Sequence, residues 1–323
     1  STRGNLGGEL PVADRVLVTG GSGMAGANLV RALIRRGSIV TVGSRHGSDR
    51  WRLAGITKNL SVVELNYADS DGVAACLESF GPNIVYHLAS TPFNPSTIPA
   101  AAHFEANVSS SINLLDGIRR VGLDCRFIAA GSCAAYGEGA GLKEDAIPAP
   151  ATLLGAAKQA ARVVLETYAR LYGLKTLNLC LFTPFGPWEA PKRLIPNIVN
   201  AALGGEPIRL TEGRQQRDFL MIDDVVDAFL TAGDADYPPG VTINICSGTP
   251  TSVRDLAHML LKVLKMDTDL EFGALPTRPD EIMMISGDNG RAKELLDWRP
   301  KVAIEEGLER SVAWIIDHRH FYQ

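Results

Sequence analysis

A glycine-rich turn wedged between a strand and a helix dictates how this chain begins to fold. Thr19-Gly-Gly-Ser-Gly-Met-Ala-Gly26 follows directly on the β-branched run Arg15–Thr19 and leads into an apolar-periodic stretch from about Ala25 to Arg36. Gly20 permits a tight turn, Gly23 lets backbone approach a pyrophosphate, and Gly26 lets the helix pack closely on the strand. The unpaired amides of the first helical turn, those of Met24 and Ala25 among them, then face the phosphates at the positive end of the helix dipole. Glycine triplets also mark ordinary turns. The strand before and the helix after are what make this one a dinucleotide site.

The pattern continues as the turn requires. Gly37 closes the first helix, and Ile39–Val42, Val62–Leu65, Ile84–Leu88, Phe127–Ala130 and Leu177–Leu181 read as further strands. Helical stretches lie between most of them, near 72–80, Phe104–Val121 and Leu154–Tyr172. Strands separated by helices mean βαβ units, right-handed crossovers and a buried parallel sheet. The expected class is therefore α/β: a Rossmann, doubly wound parallel sheet with a smaller mixed C-terminal lobe for the substrate. We assign residues 1–12 to a tail, 13–181 to the dinucleotide domain and 182–323 mainly to the substrate lobe. The part around 220–250, with its strand Thr242–Cys246, is expected to return to the first domain.

Composition excludes several function classes. The 323 residues include 46% hydrophobic and 21% charged side chains, enough to bury a sizeable core. The formal net charge of −4 lacks the basic footprint of a nucleic-acid or anionic-membrane binder. No apolar run approaches the roughly 18 residues that span a bilayer, and the first residues lack the apolar centre of a secretion signal. The five cysteines are scattered with no C-x-x-C pair, so neither a disulfide framework nor a zinc site is expected. These features point to a soluble cytoplasmic protein without a metal.

The end of the second strand bears on NAD against NADP. An acidic side chain there accepts from the ribose hydroxyls of NAD, but this chain reads Val42-Gly43-Ser44-Arg45-His46. Ser44 and Arg45 offer donors to a 2′-phosphate, which an arginine can engage bidentately. NADP(H) is the preferred cofactor and NAD(H) the alternative, with Arg45 then a solvated surface arginine.

The chain resembles the extended short-chain dehydrogenase/reductases, the branch of nucleotide-sugar epimerases, dehydratases and 4-ketoreductases. The resemblance runs from about Arg15 to Trp314. Besides the glycine turn it rests on His87-Leu-Ala-Ser90, Asn107, Gly131-Ser-Cys-Ala-Ala-Tyr-Gly137 and Phe182-Thr-Pro-Phe-Gly-Pro187, then on Gln216-Arg-Asp-Phe-Leu-Met-Ile-Asp-Asp224, Arg278-Pro-Asp-Glu281 and Leu296-Asp-Trp-Arg-Pro300. It implies a catalytic hydroxyl at Ser132, a ribose-binding lysine at Lys158 and a cofactor bed that includes Asn66, Tyr67, Leu88, Ala89, Ser90 and Pro184. It also implies substrate contacts from Asn197, with Arg217 and Arg278 clamping a nucleotide diphosphate. Blander roles stand beside these: Ser132 as a strand-end turn residue, Asn66 as a loop cap, Arg217 paired with Asp218, and Arg278 as a solvated arginine. By the same resemblance the helices Phe104–Val121 and Leu154–Tyr172 would form a homodimer interface.

One departure stands out. The family's acid/base motif is Tyr-x-x-x-Lys, which sets both side chains on one helical face. Here Leu154 takes the tyrosine's place before Lys158, and none of the seven tyrosines has a lysine four residues later. Tyr136, Cys133 or a water ordered by Ser132 are the candidate replacements, although Tyr136 and Cys133 also read as packing residues. Cys133 and Ala134 follow Ser132 where the family's 4,6-dehydratases carry an Asp-Glu pair, which argues against that reaction. The expected function is hydride exchange between NAD(P) and a sugar carbon, as epimerase or 4-ketoreductase. The alternatives are a weak or non-catalytic binder of dinucleotide and ligand, or an enzyme of a non-nucleotide carbonyl substrate.

Overall fold

The computed structural model describes residues 13–91, 98–278 and 281–322. The tail over 1–12 and the central residues of the 278–281 landmark lie outside the described residues. The strands are β1 (Arg15–Thr19), β2 (Ile39–Ser44), β3 (Ser61–Glu64), β4 (Ile84–His87) and β5 (Arg126–Ser132), then β6 (Gly139–Leu142), β7 (Lys175–Leu181), β8 (Thr183–Phe185), β9 (Ile208–Leu210) and β10 (Gln216–Met221). They end with β11 (Val241–Ile245), β12 (Pro250–Ser252), β13 (Leu270–Phe272) and β14 (Met284–Gly287). A seven-stranded parallel sheet runs β3-β2-β1-β4-β5-β7-β11. This is the doubly wound Rossmann architecture expected from the alternating pattern, and β11 lies at its edge beside β7.

The helices cover both faces. They are α1 (Met24–Arg35), α2 (Ser70–Phe80), α3 (Ala100–Phe104), α4 (Ser110–Val121), α5 (Leu153–Tyr172), α6 (Leu194–Gly204), α7 (Ile222–Asp234), α8 (Val253–Leu264), α9 (Gly290–Leu296) and α10 (Ile304–Asp317). Successive residues of β1 serve opposite layers, as a strand's alternation demands. Val16 and Val18 join the core under α1 and α7, while Leu17 packs with Val73, Leu77, Leu114 and Leu165 of α2, α4 and α5. Each such side chain contributes about 1.5–3 kcal/mol by leaving water. Among the described residues no helix is long and apolar enough to cross a membrane.

The stretch expected as one helix over Phe104–Val121 differs in detail. It starts earlier, at Ala100, and widens into a π-helical turn at Glu105–Ser109. Polar side chains there bond carbonyls one turn back: Asn107 Nδ2 to His103 O at 2.8 Å, Ser110 Oγ to Ala106 O at 2.7 Å and Ser111 Oγ to Asn107 O at 2.7 Å. Such bonds compete with the regular ladder and loosen a helix locally. The second lobe holds the sheet β12-β10-β14-β6, with β8 also on β10, and the pair β13-β9. Asp224 ties its end to α7, accepting from the amides of Lys301 and Val302 at 3.0 and 3.1 Å.

Candidate active site

The strand order reverses between β1 and β4, and a crevice opens at their carboxyl ends where ligands of such sheets bind. Register brings the sequence-marked residues to this one edge. Thr19 lies opposite His87, His87 opposite Ala129, and Ser132 opposite Leu181. The segments that follow each strand are therefore neighbours: the glycine turn, Leu88–Ser90, Ser132–Cys133 and Thr183–Pro184.

Two glycines at the turn have no room for a side chain. Gly20 has φ +69°, and a Cβ there would stand 2.5 Å from the Ala89 nitrogen and the Leu88 carbonyl carbon. A Cβ on Gly26 would lie 2.2 Å from the Gly20 oxygen. Gly23 caps α1 with no side chain on the helix amides, so the amides of Met24 and Ala25 open the helix towards the crevice. This cradle fits a pyrophosphate.

At the end of β2, Ser44 is buried and Arg45 exposed. Arg50, absent from the sequence reading, donates from Nε to Ser44 Oγ at 3.3 Å and adds a second guanidinium to this corner. Its spacing five residues past Arg45, across a turn, carries no periodic signal. Tyr67 is buried and donates its hydroxyl to Gly43 O at 2.9 Å. Asn66 is exposed and accepts from the Ala68 amide at 3.1 Å, which is the loop-capping geometry.

Behind the crevice lies a buried polar row. Thr19 Oγ1 accepts from the Ala89 amide at 3.3 Å and lies 2.7 Å from His87 Nδ1, while His87 Nε2 lies 3.2 Å from Ser110 Oγ. Ser110 spends its proton on Ala106 O, so it accepts from His87, and the imidazole carries its hydrogen on Nε2. Burial first, then the charge of Lys158, pushes the His87 pKa down to about 3, which leaves the ring neutral. Ser90 donates to Asn107 Oδ1 at 2.9 Å.

Lys158 is the half-buried cation of the site. Its Nζ donates to the Ala130 carbonyl at 2.7 Å, and burial pushes its pKa down to about 8. It lines a small cavity with His87, Asn107, Ser111 and Asn178. Leu154 stands one turn earlier on α5 and is half-buried. Ser132 Oγ accepts from the Ala134 amide at 3.3 Å. Tyr136 is buried with its hydroxyl donated to Asn244 Oδ1 at 2.8 Å, and Asn244 is held in turn by Leu142 O at 2.8 Å. Cys133 packs with Cys180 and Cys246, and burial pushes its thiol up to about 12. Pro184 sits in β8 opposite Leu220.

In the second lobe Arg217 and Arg278 meet on one carboxylate. Arg278 donates to Glu281 Oε2 from Nε at 3.0 Å and Nη2 at 2.8 Å, and Arg217 donates to Glu281 Oε1. The Arg217–Asp218 pair weighed from sequence does not form. Asp218 instead accepts four hydrogen bonds, from the Ser247 amide and hydroxyl and from the Gly248 and Gly287 amides, at 2.7–3.1 Å. Asn197 is exposed on α6. Among the described residues no group of three or more His, Cys, Asp or Glu is placed to hold a metal ion.

Known proteins share this fold. Residues 16–246 match the model of the NAD dependent epimerase/dehydratase family. A UDP-glucose 4-epimerase of Mycolicibacterium smegmatis is 29% identical over 310 residues, 92% of this chain and 97% of the relative. The crystal structure of a UDP-glucose 4-epimerase from Thermotoga maritima with UDP-glucose superposes with a TM-score of 0.86 at 29% identity, over 94% of this chain and 98% of that one. A dTDP-glucose 4,6-dehydratase from Streptomyces venezuelae with NAD bound gives a TM-score of 0.87 at 26% identity, over 96% and 99%. With the glycine turn, the strand reversal and the matched span in agreement, this chain belongs to the NAD dependent epimerase/dehydratase family.

Proposed function

We propose that the protein is a nucleotide-sugar epimerase or 4-ketoreductase in which Lys158 carries the proton that a tyrosine carries elsewhere in its family. The observation that supports this is the pairing of Leu154 with a half-buried, acidified Lys158 on α5 whose Nζ reaches the Ala130 carbonyl of β5. The cofactor supplies hydride exchange at a sugar carbon. The chain's own residues bind and orient: the amides of Met24 and Ala25 hold the pyrophosphate, Leu88–Ser90 and Pro184 bound the cofactor bed, and Ser132 Oγ engages the reacting oxygen.

Neither of the two side chains weighed as replacements suits the task. The Tyr136 hydroxyl is committed to Asn244, and burial holds its proton more tightly. The Cys133 thiol, at about 12, is a poor acid near neutral pH. Lys158, at about 8, is protonated at pH 7 and acidic enough to release that proton to a developing alkoxide. Arg217 and Arg278 would exchange their shared carboxylate for a diphosphate, and Asn197, exposed on α6, is assigned to the same substrate. Ser44, Arg45 and Arg50 favour NADP(H) over NAD(H). Half of the surface of Val163 and more of Leu171 is exposed on α5, and we assign that face, with Phe104, to a homodimer contact.

The test is turnover on a panel of UDP-, dTDP-, GDP- and CDP-sugars with NADPH and NADH, read by product chromatography. Conversion of one class that is lost in Lys158→Met supports the reading. Full activity in Lys158→Met removes the lysine's role, and inertness on every nucleotide sugar removes the substrate class.

A further inference from the structure

The dinucleotide turn is joined to the loop after β8 by two side chains that both reach backbone carbonyls. Asn28 on α1 donates from Nδ2 to Met24 O at 2.9 Å and to Pro187 O at 3.0 Å. Arg52, in the short helical turn Trp51–Leu53, donates from Nε to Trp188 O at 2.7 Å and from Nη1 to Ser22 O at 3.4 Å. Two consecutive carbonyls, of Pro187 and Trp188, are thus fastened to two residues of the glycine turn. Trp188 has φ +67°, a left-handed conformation that a bulky side chain adopts only when its surroundings impose it.

The C-terminal segment supplies those surroundings. The Trp188 ring lies 4.8 Å from Trp314 and 5.5 Å from Phe321, and Phe321 also packs on Trp51 at 5.1 Å. The Arg52 guanidinium stacks on Trp51 at 4.3 Å. A C-terminal segment more than a hundred residues away in sequence therefore closes over the arginine that spans the two loops.

We propose that this C-terminal aromatic segment is a clasp on the cofactor bed and that Arg52 is its positioning residue. By fixing the glycine turn against the 186–188 loop, it presents these two parts of the bed as one preformed surface. This role rests on the reading that the glycine turn holds a dinucleotide. Its function is to remove an ordering cost from binding, since a bed that is already assembled gives up less freedom when the ligand arrives.

The test is titration of the full-length protein with NADH and NADPH, read by energy transfer from tryptophan to bound nicotinamide, with circular dichroism to confirm folding. Arg52→Gln removes a charged donor to two carbonyls and is expected to weaken dinucleotide binding about tenfold. Asn28→Ala is expected to weaken it about threefold and serves as the independent probe if Arg52→Gln does not fold. Phe321→Ala is expected to weaken binding in the otherwise unmodified chain but to add little in the Arg52→Gln background, because the two act through one contact. A merely structural arginine would lower the melting temperature and leave the affinity of the folded protein unchanged. Unchanged affinity in Arg52→Gln, or in Asn28→Ala where that variant stands in, overturns the clasp. Failure of the unmodified chain to bind either dinucleotide overturns the dinucleotide reading and the clasp with it.

Discussion

Restoring the missing phenol is the sharpest perturbation available. Leu154 precedes Lys158 by four residues on α5, so Leu154→Tyr would set a hydroxyl on the lysine's face of the helix. The start of α5 is pressed against the end of β5: a Cβ on Gly155 would lie 2.2 Å from Ala134 O. A side chain at 154 therefore stands at the junction that leads to Ser132. Leu154 is half-buried, so the larger ring can extend towards the crevice, and the expected stability change is within about 1 kcal/mol. A positioned general acid is worth roughly 10²–10⁴-fold, or about 3–5 kcal/mol of barrier. Part of this is already supplied by Lys158 at about 8, so the lower end applies and kcat should rise about 10²-fold. In the unmodified chain, reduction should slow as the pH rises through about 8, because the ammonium form that donates is lost there. The assay is steady-state turnover of the nucleotide sugar found by screening, with pH profiles for both proteins. A folded, cofactor-binding Leu154→Tyr with unchanged kcat would refute the reasoning that the absent phenol limits proton transfer beyond what Lys158 supplies.

The other predictions probe separate parts of the site. Gly26→Ala should abolish dinucleotide binding, because its Cβ would meet backbone at 2.2 Å that cannot move aside; calorimetric titration checks this. Arg45→Ala should weaken NADPH about tenfold or more and NADH by less than about twofold, and equal losses would remove the NADP assignment. Glu189 is buried with Oε2 unpartnered, and burial pushes its pKa from 4.5 up to about 7. The folded state therefore binds this proton more readily than the unfolded chain, and stability falls as the pH rises from about 4.5 through about 7. Glu189→Gln should flatten that slope and raise the melting temperature at pH 8 by a few degrees, which a thermal melt series reads. Val163→Arg should shift the protein to a monomer in sedimentation, and an unchanged sedimentation coefficient would place any dimer contact elsewhere.

The sheet was legible because its signals are local. The β-branched runs at 15–19 and 84–88 and the leucine-rich run at 177–181, cut by glycine turns and periodic helices, leave one architecture open, and the glycine turn names the edge where ligands gather. The short strands of the second lobe were not legible. β10, for instance, takes its conformation from pairing with β8, β12 and β14, partners remote in sequence. Nor could periodicity reveal the π-helical turn at 105–109, which arises from side chains bonding their own helix. At the site, sequence supplied Ser132 and Lys158 through the resemblance but not Arg50 or Arg52. Their roles depend on where a loop of mixed composition folds back. The commitment of Tyr136 to Asn244 is equally a matter of tertiary contact.

Native mass spectrometry of the purified protein, followed by thermal shift with UDP, dTDP, GDP and CDP, tests the central claim most directly. A mass increment of one NAD or NADP is expected, with a higher melting temperature for one of the four nucleotides, the one whose diphosphate displaces Glu281 from Arg217 and Arg278. A bound dinucleotide with no response to any nucleotide would contradict the nucleotide-sugar assignment. Absence of any dinucleotide, even after incubation with both, would contradict the reading of the glycine turn itself.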